Sequence, residues 1–253
     1  MSISIGTDPV RAMYYGDHQV ARVYLGDQMV WTEAPEPAAD GSILTLALTS
    51  NLSVTICAIP TDQHGVSVDW GDGSAPDTNW INAATGNQIS HTYSSAGTYT
   101  VTLTAAKDVT WKPGSLFGLN ILNQADKSNT SPELTAVYLD DAVTEIFALA
   151  FLNCTSLSQI ELGVPTIYNN AFRGCVGLQK VWLRESVDTI TVSETTSSGS
   201  VTERNGPFKD CSSSLVIYCE ADSKPSGWND YWNVYTGTDT RLSVVWGQKT
   251  RPW

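Results

Sequence analysis

The sequence predicts a mainly β protein with three successive parts: a short segment of β-hairpins, a β-sandwich, and a repeat solenoid closed by an aromatic-rich cap. Three observations predict this fold class. The chain opens with two similar ten-residue units, continues with short alternating runs between turn clusters, and then repeats a further block at a spacing of 21 residues. Each pattern is typical of short strands joined by tight turns, so β structure is expected along the whole chain.

The bulk composition is that of a folded, acidic chain. Its 253 residues exceed what one core usually serves, and 42% hydrophobic with 16% charged residues is typical of globular domains. A net charge of −12 with only 14 Lys and Arg disfavours nucleic acid and anionic membranes as partners. The first nine residues lack the basic and apolar regions of an export signal, and no run is long enough to span a bilayer, so neither export nor membrane anchoring is expected.

The N-terminal segment, residues 1–33, contains the first repeat. Residues 11–20 align with residues 21–30, and each unit predicts a short strand, a Gly-Asp turn and a return strand, because glycine supplies the positive φ of tight hairpins. So short a segment cannot bury a core of its own, so we expect it to dock on a neighbour. That neighbour is either another chain or the next domain of this chain. The side chains expected to dock are Tyr14, Tyr24, Met29, Val30 and Trp31.

A linker at residues 34–41 contains two prolines and predicts an extended spacer before the next domain. Residues 42–108 then alternate apolar and polar residues in short runs, such as 44–48 (LTLAL) and 99–103 (YTVTL), between turn clusters. This pattern is typical of a β-sandwich.

Two stretches of the predicted sandwich carry a family resemblance. Residues 68–74 (VDWGDGS) and 91–103 (HTYSSAGTYTVTL) resemble, in the right order, the hallmark stretches of a PKD domain, an immunoglobulin-like module of surface and extracellular proteins. The resemblance implies that Trp70 lies in the core between two sheets and that the neighbouring glycines turn the chain.

The same region offers the most plausible metal ligands of the chain. Asp69, Asp72 and Asp77 are clustered carboxylates of the kind that Ca²⁺ prefers, but their spacing lacks the regular acidic pattern of an EF-hand loop. We therefore interpret them as turn-forming residues and predict no metal site. His91 is interpreted as a strand-start residue packed near the turn, since no catalytic partner stands beside it in sequence.

After a connector at residues 109–133, a second repeat occupies residues 134–218. The block 150–157 (AFLNCTSL) recurs as 171–178 (AFRGCVGL) and, with an insertion, as 207–215 (PFKDCSSSL). One strand per unit at this period is typical of a solenoid. The predicted strands are 134–139 (LTAVYL), 157–162 (LSQIEL), 178–183 (LQKVWL) and 215–218 (LVIY).

These units closely resemble BspA-type leucine-rich repeats, in which an AF-x-x-C-x-x-L block precedes a short strand. In that arrangement Cys154, Cys175 and Cys211 form a ladder of small buried side chains. The chain has five cysteines and no C-x-x-C pair, which disfavours both zinc and a disulfide framework.

Two features flank the last repeats. The polar insertion at residues 191–205 is expected to leave the solenoid as a loop, either simply solvated or serving as a contact surface. Residues 219–253 are rich in Trp and Tyr, which suits a cap over the last open repeat. Sugar stacking on the same aromatic side chains is the alternative role.

No motif of a catalytic site occurs, so we predict a protein that is not an enzyme and needs no cofactor. The favoured hypothesis is a bacteriophage virion component, a minor tail or other appendage or decoration protein, because the N-terminal units resemble segments of phage structural proteins. The alternatives are a bacterial cell-surface adhesin of the BspA type and a purely architectural subunit that binds no ligand. A virion protein assembled in the host cytoplasm needs no export signal and keeps its thiols reduced.

The virion hypothesis implies particular partners and a particular exposed surface. Residues 1–33 are expected to bind other virion proteins, within an assembly that includes further copies of this chain. The repeats then lie at the distal end, available to a host surface protein or glycan. Outward side chains alternate with buried ones along each strand, and the predicted ligand-binding residues are Tyr138, Gln159, Glu161, Lys180 and Trp182.

Overall fold

The computed structural model describes residues 13–15, 18–20, 22–25, 28–32, 41–49, 52–59, 66–79, 81–83, 86–105, 112–113, 134–139 and 143–253. These residues form β-strands, turns and irregular segments, with no helix among them, which confirms the predicted mainly β fold class. The chain divides into two compact units, Met1–Ala39 and Asp40–Trp253. In the described ranges no helix has the length and apolar character needed to cross a membrane.

The N-terminal unit contains two antiparallel hairpins. Strand β1 (Met13–Tyr15) pairs with β2 (His18–Val20), and β3 (Arg22–Leu25) pairs with β4 (Gln28–Thr32). The ten-residue repeat therefore predicted the two hairpins correctly. The side chains predicted to dock lie outside the described part of the structure, so their role stays a prediction: Tyr14, Tyr24, Met29, Val30 and Trp31.

The second unit begins with a sandwich of two four-stranded antiparallel sheets. The first sheet has the order β12-β5-β10-β7 and consists of β5 (Ser42–Leu48), β7 (Val66–Asp69), β10 (Gly97–Ala105) and β12 (Leu134–Tyr138). The second has the order β11-β6-β9-β8 and consists of β6 (Ser53–Ile59), β8 (Ile81–Ala83), β9 (Gly86–Thr92) and β11 (Lys112–Pro113).

The sandwich core follows from the alternation of its strands. In β5 every second residue is buried, and Trp70 is buried below the turn after β7, as the resemblance implied. That turn depends on Gly71, which has a φ of +73° and lies so close to Thr100 that a Cβ would collide with its backbone carbonyl. The inward side chains of the two sheets include Leu44, Leu46, Val68, Val101 and Leu103 on the first and Val54, Ile56 and Ile89 on the second.

The solenoid has two parallel ladders. The longer ladder has the order β14-β16-β20-β23 and consists of β14 (Gln159–Leu162), β16 (Lys180–Leu183), β20 (Val216–Cys219) and β23 (Ser243–Val245). The shorter ladder consists of β13 (Glu145–Ile146), β15 (Thr166–Ile167) and β17 (Thr189–Ile190). Because strands of successive units lie side by side in register, each repeat covers the apolar face of the one before it.

The interior of the solenoid contains stacked repeat residues. Phe172 lies between Phe151 and Phe208, with ring centroids 4.9 and 5.6 Å apart. The thiols of Cys175 and Cys211 donate hydrogen bonds to backbone carbonyls of the preceding unit at 3.0 and 3.1 Å. The predicted ladder of buried cysteines is therefore present, and burial raises the pKa of the Cys175 and Cys211 thiols well above its usual range.

The position of β12 differs from the prediction, in which residues 134–139 form the first strand of the repeats. The strand instead pairs antiparallel with β5, although it also lies beside β14. An apolar strand satisfies its backbone equally well in either sheet, and the open edge of β5 offers a partner that the repeat pattern does not reveal. The sandwich and the solenoid consequently meet at β12.

The insertion, which was expected to leave the solenoid as a loop, forms a β-hairpin. Strand β18 (Ser193–Ser197) pairs with β19 (Ser200–Asn205) through a turn at Ser198 and Gly199, whose φ values of +51° and +82° are typical of a tight hairpin turn. Its base packs on β21 (Val234–Thr236), which pairs with β22 (Thr240–Arg241) in the C-terminal part.

The C-terminal residues form the predicted cap. Trp228 and Trp232 are each 2% exposed, and their rings contact each other and Trp246. The indole nitrogen of Trp228 donates a hydrogen bond to the carbonyl of Val187 at 2.9 Å, which ties the cap to the repeats. These rings close the last open end of the apolar core.

Candidate ligand-binding groove

A groove of about 400 Å³ lies where the sandwich meets the solenoid. Its walls are the end of β12 and the turns that follow β14 and β16. Leu139 and Pro165 supply apolar surface along these walls, next to the buried Val143 and Val164. Small-molecule sites usually combine such surface with a few well-placed polar groups, in a volume of roughly 300–1,000 Å³.

The groove results from the pairing of β12, which joins the sandwich sheet and not the solenoid ladder. In the solenoid ladder Glu161 lies beside Trp182, which lies beside Tyr218, at one register position of successive strands. Tyr138 precedes the last residue of its predicted strand just as Glu161 and Trp182 do, but its strand pairs with β5. The described strands β12 and β14 are therefore not paired by backbone hydrogen bonds, and Tyr138 and Glu161 both line the groove.

An ion-pair network holds one wall of the groove in place. Arg184 Nη1 lies 2.6 Å from Glu161 Oε1, and Arg184 Nε lies 3.0 Å from Glu220 Oε2. Arg251 Nε lies 3.6 Å from the other Glu161 oxygen. Two carboxylates on one guanidinium set the orientation of its plane, because charge-assisted hydrogen bonds are short and directional.

The pKa values of this network are consistent with fixed charges. Desolvation opposes the charge of Arg184, but the hydrogen bonds to Glu161 and Glu220 outweigh it and raise the pKa of the guanidinium. Desolvation likewise opposes the charge of Glu220, yet hydrogen bonds from the Glu185 backbone N–H and from Arg184 lower the pKa of its carboxyl group. Arg184 and Glu220 are therefore both charged at neutral pH.

The structure places two of the five predicted ligand-binding residues in the groove. Tyr138, which is 41% exposed, and Glu161 both line it. Gln159 and Lys180 lie side by side at the start of β14 and β16 and do not line the groove. Whether any of these residues binds a ligand stays a prediction.

The prediction that Trp182 is displayed at the surface is wrong. Its side chain is only 4% exposed, because the C-terminal strap, residues 247–253, lies across this part of the sheet. The Trp182 indole nitrogen donates a hydrogen bond to the Gln248 carbonyl at 3.0 Å, and the Arg184 guanidinium lies 4.7 Å from the ring centroid. The alternation of a strand predicts which side chains point outward, but it does not show what covers them.

Sequence reasoning missed the turn residues of the groove. Gly163 and Arg184 come directly after the last leucine of β14 and of β16, and Ser186 follows two residues after Arg184. The Ser186 hydroxyl donates a hydrogen bond to the Gly163 carbonyl at 2.7 Å, which links the two turns. Aligning the residues after each repeat strand would have placed these turns next to each other.

The turn after β7 is the second polar cluster that the sequence singled out. Oxygens of Asp69, Asp72 and Asp77 each accept a hydrogen bond from the backbone N–H two residues later, at 2.8 to 3.0 Å. The prediction that these residues form turns is confirmed. Within the described ranges no three His, Cys, Asp or Glu side chains come close enough to hold a metal ion.

His91 packs near this turn, as predicted, but it lies at the end of β9 and not at the start of a strand. Its ring stacks on Trp70 with centroids 5.0 Å apart, and its Nε2 lies 2.7 Å from Asp72 Oδ2. Hydrogen bonds from Ser74 and then from His91 lower the pKa of Asp72 to about 2. The ionised carboxylate accepts the imidazole N–H, so the pair fastens the turn to strand β9.

Taken together, the fold and the groove define a modular β protein in which an immunoglobulin-like sandwich meets a capped leucine-rich solenoid. Comparison with family models agrees: residues 32–110 match the PKD domain, and residues 126–213 match the BspA type leucine rich repeat region in six copies. The chain therefore contains both predicted modules. The two family-model matches begin and end at residues that differ from the predicted domain boundaries, so those boundaries stay predictions. Searches of curated proteins and of solved structures each find no match.

Proposed function

We propose that this chain is a non-enzymatic binding protein of the surface-adhesin type, and that its junction groove holds the ligand. The pairing of a PKD domain with BspA-type repeats supports this function. The observation that carries the proposal is the groove itself, because an exposed aromatic residue, Tyr138, and fixed polar groups line one space of ligand size.

The chemistry of the groove favours binding over catalysis. Glu220, which pairs with Arg184 beside the groove, has a lowered pKa and therefore has no proton to give as a general acid. The Glu161 carboxylate is engaged by both Arg184 and Arg251. Such fixed charges are suited to orienting hydrogen bonds to a ligand.

Binding of the fluorescently labelled full chain to a panel of bacterial and animal cells tests this function. Tyr138→Ala is expected to lower cell binding about tenfold, since it removes the exposed aromatic side chain. Tyr218→Ala is the matched control, because Tyr218 occupies the register position of Glu161 two strands further along and does not line the groove. Equal binding by both variants, or no binding to any cell by the unmodified chain, would contradict the proposal.

We further propose that the chain works as a bacteriophage virion component, a minor tail or other appendage protein located in the particle. The two tandem hairpins of residues 1–33 support this placement as a segment that joins other virion proteins and further copies of the chain. The module combination supports the alternative placement, on a bacterial cell surface as an adhesin of the BspA type.

Deletion of residues 1–33 separates these two placements. The truncated chain is expected to stay folded but to be missing from purified particles, as measured by mass spectrometry against the full chain. Normal incorporation of the truncated chain would contradict the docking role. Detection of the full chain on the bacterial envelope and not in particles would favour the adhesin alternative.

A further inference from the structure

We propose that the junction groove binds a neutral saccharide unit, an inference that rests on the binding function proposed above. Its polar groups are both donors and acceptors of hydrogen bonds. Arg184 can only donate, the Glu161 carboxylate can only accept, and Thr144 and Ser186 carry hydroxyl groups that can do either. A sugar matches such a mixed set, since every sugar hydroxyl can donate one hydrogen bond and accept others.

Among the described residues, the charged groups at the groove and their ion-pair partners are balanced, which argues for an uncharged ligand. Two guanidinium groups, Arg184 and Arg251, contact two carboxylates, Glu161 and Glu220, so the four groups sum to zero. No unpaired positive charge of this network is left to hold a carboxylate, sulfate or phosphate, and the chain as a whole carries −12. Anionic ligands, including acidic sugars, are therefore disfavoured relative to neutral ones.

The apolar part of the groove suits the face of a sugar ring. Tyr138 is one of the few large apolar side chains that are strongly exposed among the described residues, at 41%. An aromatic ring combines a broad apolar face with little conformational freedom to lose, which makes it a good platform for the C–H face of a pyranose. Leu139 and Pro165 extend the apolar surface beside it.

The size and the position of the groove limit the ligand further. A volume of about 400 Å³ suits one or two sugar rings. The hydrogen bond from Ser186 to Gly163 and the ion pairs of Arg184 hold the polar wall in place before a ligand binds. Preorganisation of this kind reduces the ordering cost of binding a small, well-hydrated molecule.

The experiment is a binding titration of the full chain by saturation-transfer NMR. The probes are neutral oligosaccharides of glucose, galactose, mannose and N-acetylglucosamine, with sialyllactose and a glucuronic-acid disaccharide as acidic counterparts. At least one neutral probe is expected to bind with a dissociation constant on the order of 0.1–1 mM, as a rigid site for a ligand of this size allows. No binding by any neutral probe, or binding by acidic probes alone, would overturn the proposal.

Two variants test whether the saccharide probes bind in the groove. Tyr138→Ala and Arg184→Lys are each expected to weaken binding about tenfold, the first by removing the platform and the second by replacing the planar donor fork with a point charge. Tyr218→Ala, the control outside the groove, is expected to bind within about twofold of the unmodified chain. Thermal melting of all three confirms folding. Equal weakening by Tyr138→Ala and Tyr218→Ala would overturn the assignment to this groove.

Binding to cells pretreated with periodate or with protease separates two outcomes: a ligand that is not a saccharide, and a chain that binds no ligand. Periodate, which cleaves the vicinal diols of sugars, is expected to abolish cell binding, whereas protease treatment of the cells is expected to leave most of it. The reverse pattern would overturn the saccharide ligand in favour of a protein ligand while the binding function stands. Absence of binding to untreated cells would remove the binding function itself.

Discussion

Tyr138 and Trp182 occupy corresponding positions of two repeats, yet the first is 41% exposed and the second 4%. Trp182 belongs to a continuous parallel ladder and lies under the C-terminal strap. Tyr138 ends a strand that pairs with the sandwich, and it faces an open groove. The comparison teaches that a repeat determines the direction of a side chain, whereas neighbouring segments from elsewhere in the chain determine whether it reaches solvent.

The interior of the repeats should be far more sensitive than either outward position. Phe172→Ala is expected to lower the free energy of unfolding by about 3–5 kcal/mol, because it leaves a cavity between Phe151 and Phe208. Tyr138→Ala, at the open groove, is expected to change it by less than about 1 kcal/mol. Urea denaturation followed by circular dichroism measures both. A similar loss for the two variants would contradict the contrast between interior and open surface.

Removing most of the C-terminal strap should expose the Trp182 side chain to solvent, as the Tyr138 side chain already is. Deletion of residues 248–253 removes the carbonyl that accepts the Trp182 indole hydrogen bond, and it uncovers the ring. We expect a red shift of tryptophan fluorescence and a loss of about 1–2 kcal/mol in unfolding free energy. Because the deletion also removes Trp253, the matched control is Trp253→Ala in the full-length chain. An identical spectrum for the deletion and this control would mean that the strap does not cover Trp182.

Asp72, in the turn after β7, is a polar side chain whose ionisation depends on the residues around it. The folded-state pKa of Asp72 is about 2, below its ordinary value of 3.8, so the unfolded chain takes up the proton first as pH falls. The stability contributed by Asp72 is complete above about pH 4 and is lost as pH falls towards 2. Denaturation of the unmodified chain and of Asp72→Asn at pH 5, 4, 3 and 2 should show the difference shrinking with acidity. A constant difference would contradict the assigned interactions.

The smallest expected effect concerns the thiols inside the repeats. Burial raises the pKa of Cys219 to about 12 and keeps Cys154, Cys175 and Cys211 away from solvent. Iodoacetamide at pH 8 should therefore leave these four cysteines unmodified in the folded chain and should modify them after unfolding in urea. Mass spectrometry of the resulting peptides provides the readout. Rapid modification of the folded chain would show that the repeats open readily.

Local patterns were sufficient wherever the partner of a residue is close in sequence or is repeated. The ten-residue units predicted the hairpins of the N-terminal unit, and the AF-x-x-C-x-x-L block predicted the stacked phenylalanines and buried cysteines. The aspartates of the sandwich turn were predicted correctly for the same reason, since each accepts a hydrogen bond only two residues away.

What the sequence by itself determined was the class of each module, the two families and the inward or outward direction of the repeat side chains. Tertiary structure alone decided that β12 joins the sandwich sheet, that the strap covers Trp182, and that Arg184 and Tyr138 line one groove. The physical reason is that backbone hydrogen bonding and apolar burial are non-specific in partner. Any segment that the rest of the fold brings close can pair with a strand edge or cover an outward aromatic ring. The local sequence pattern does not reveal which segment that is.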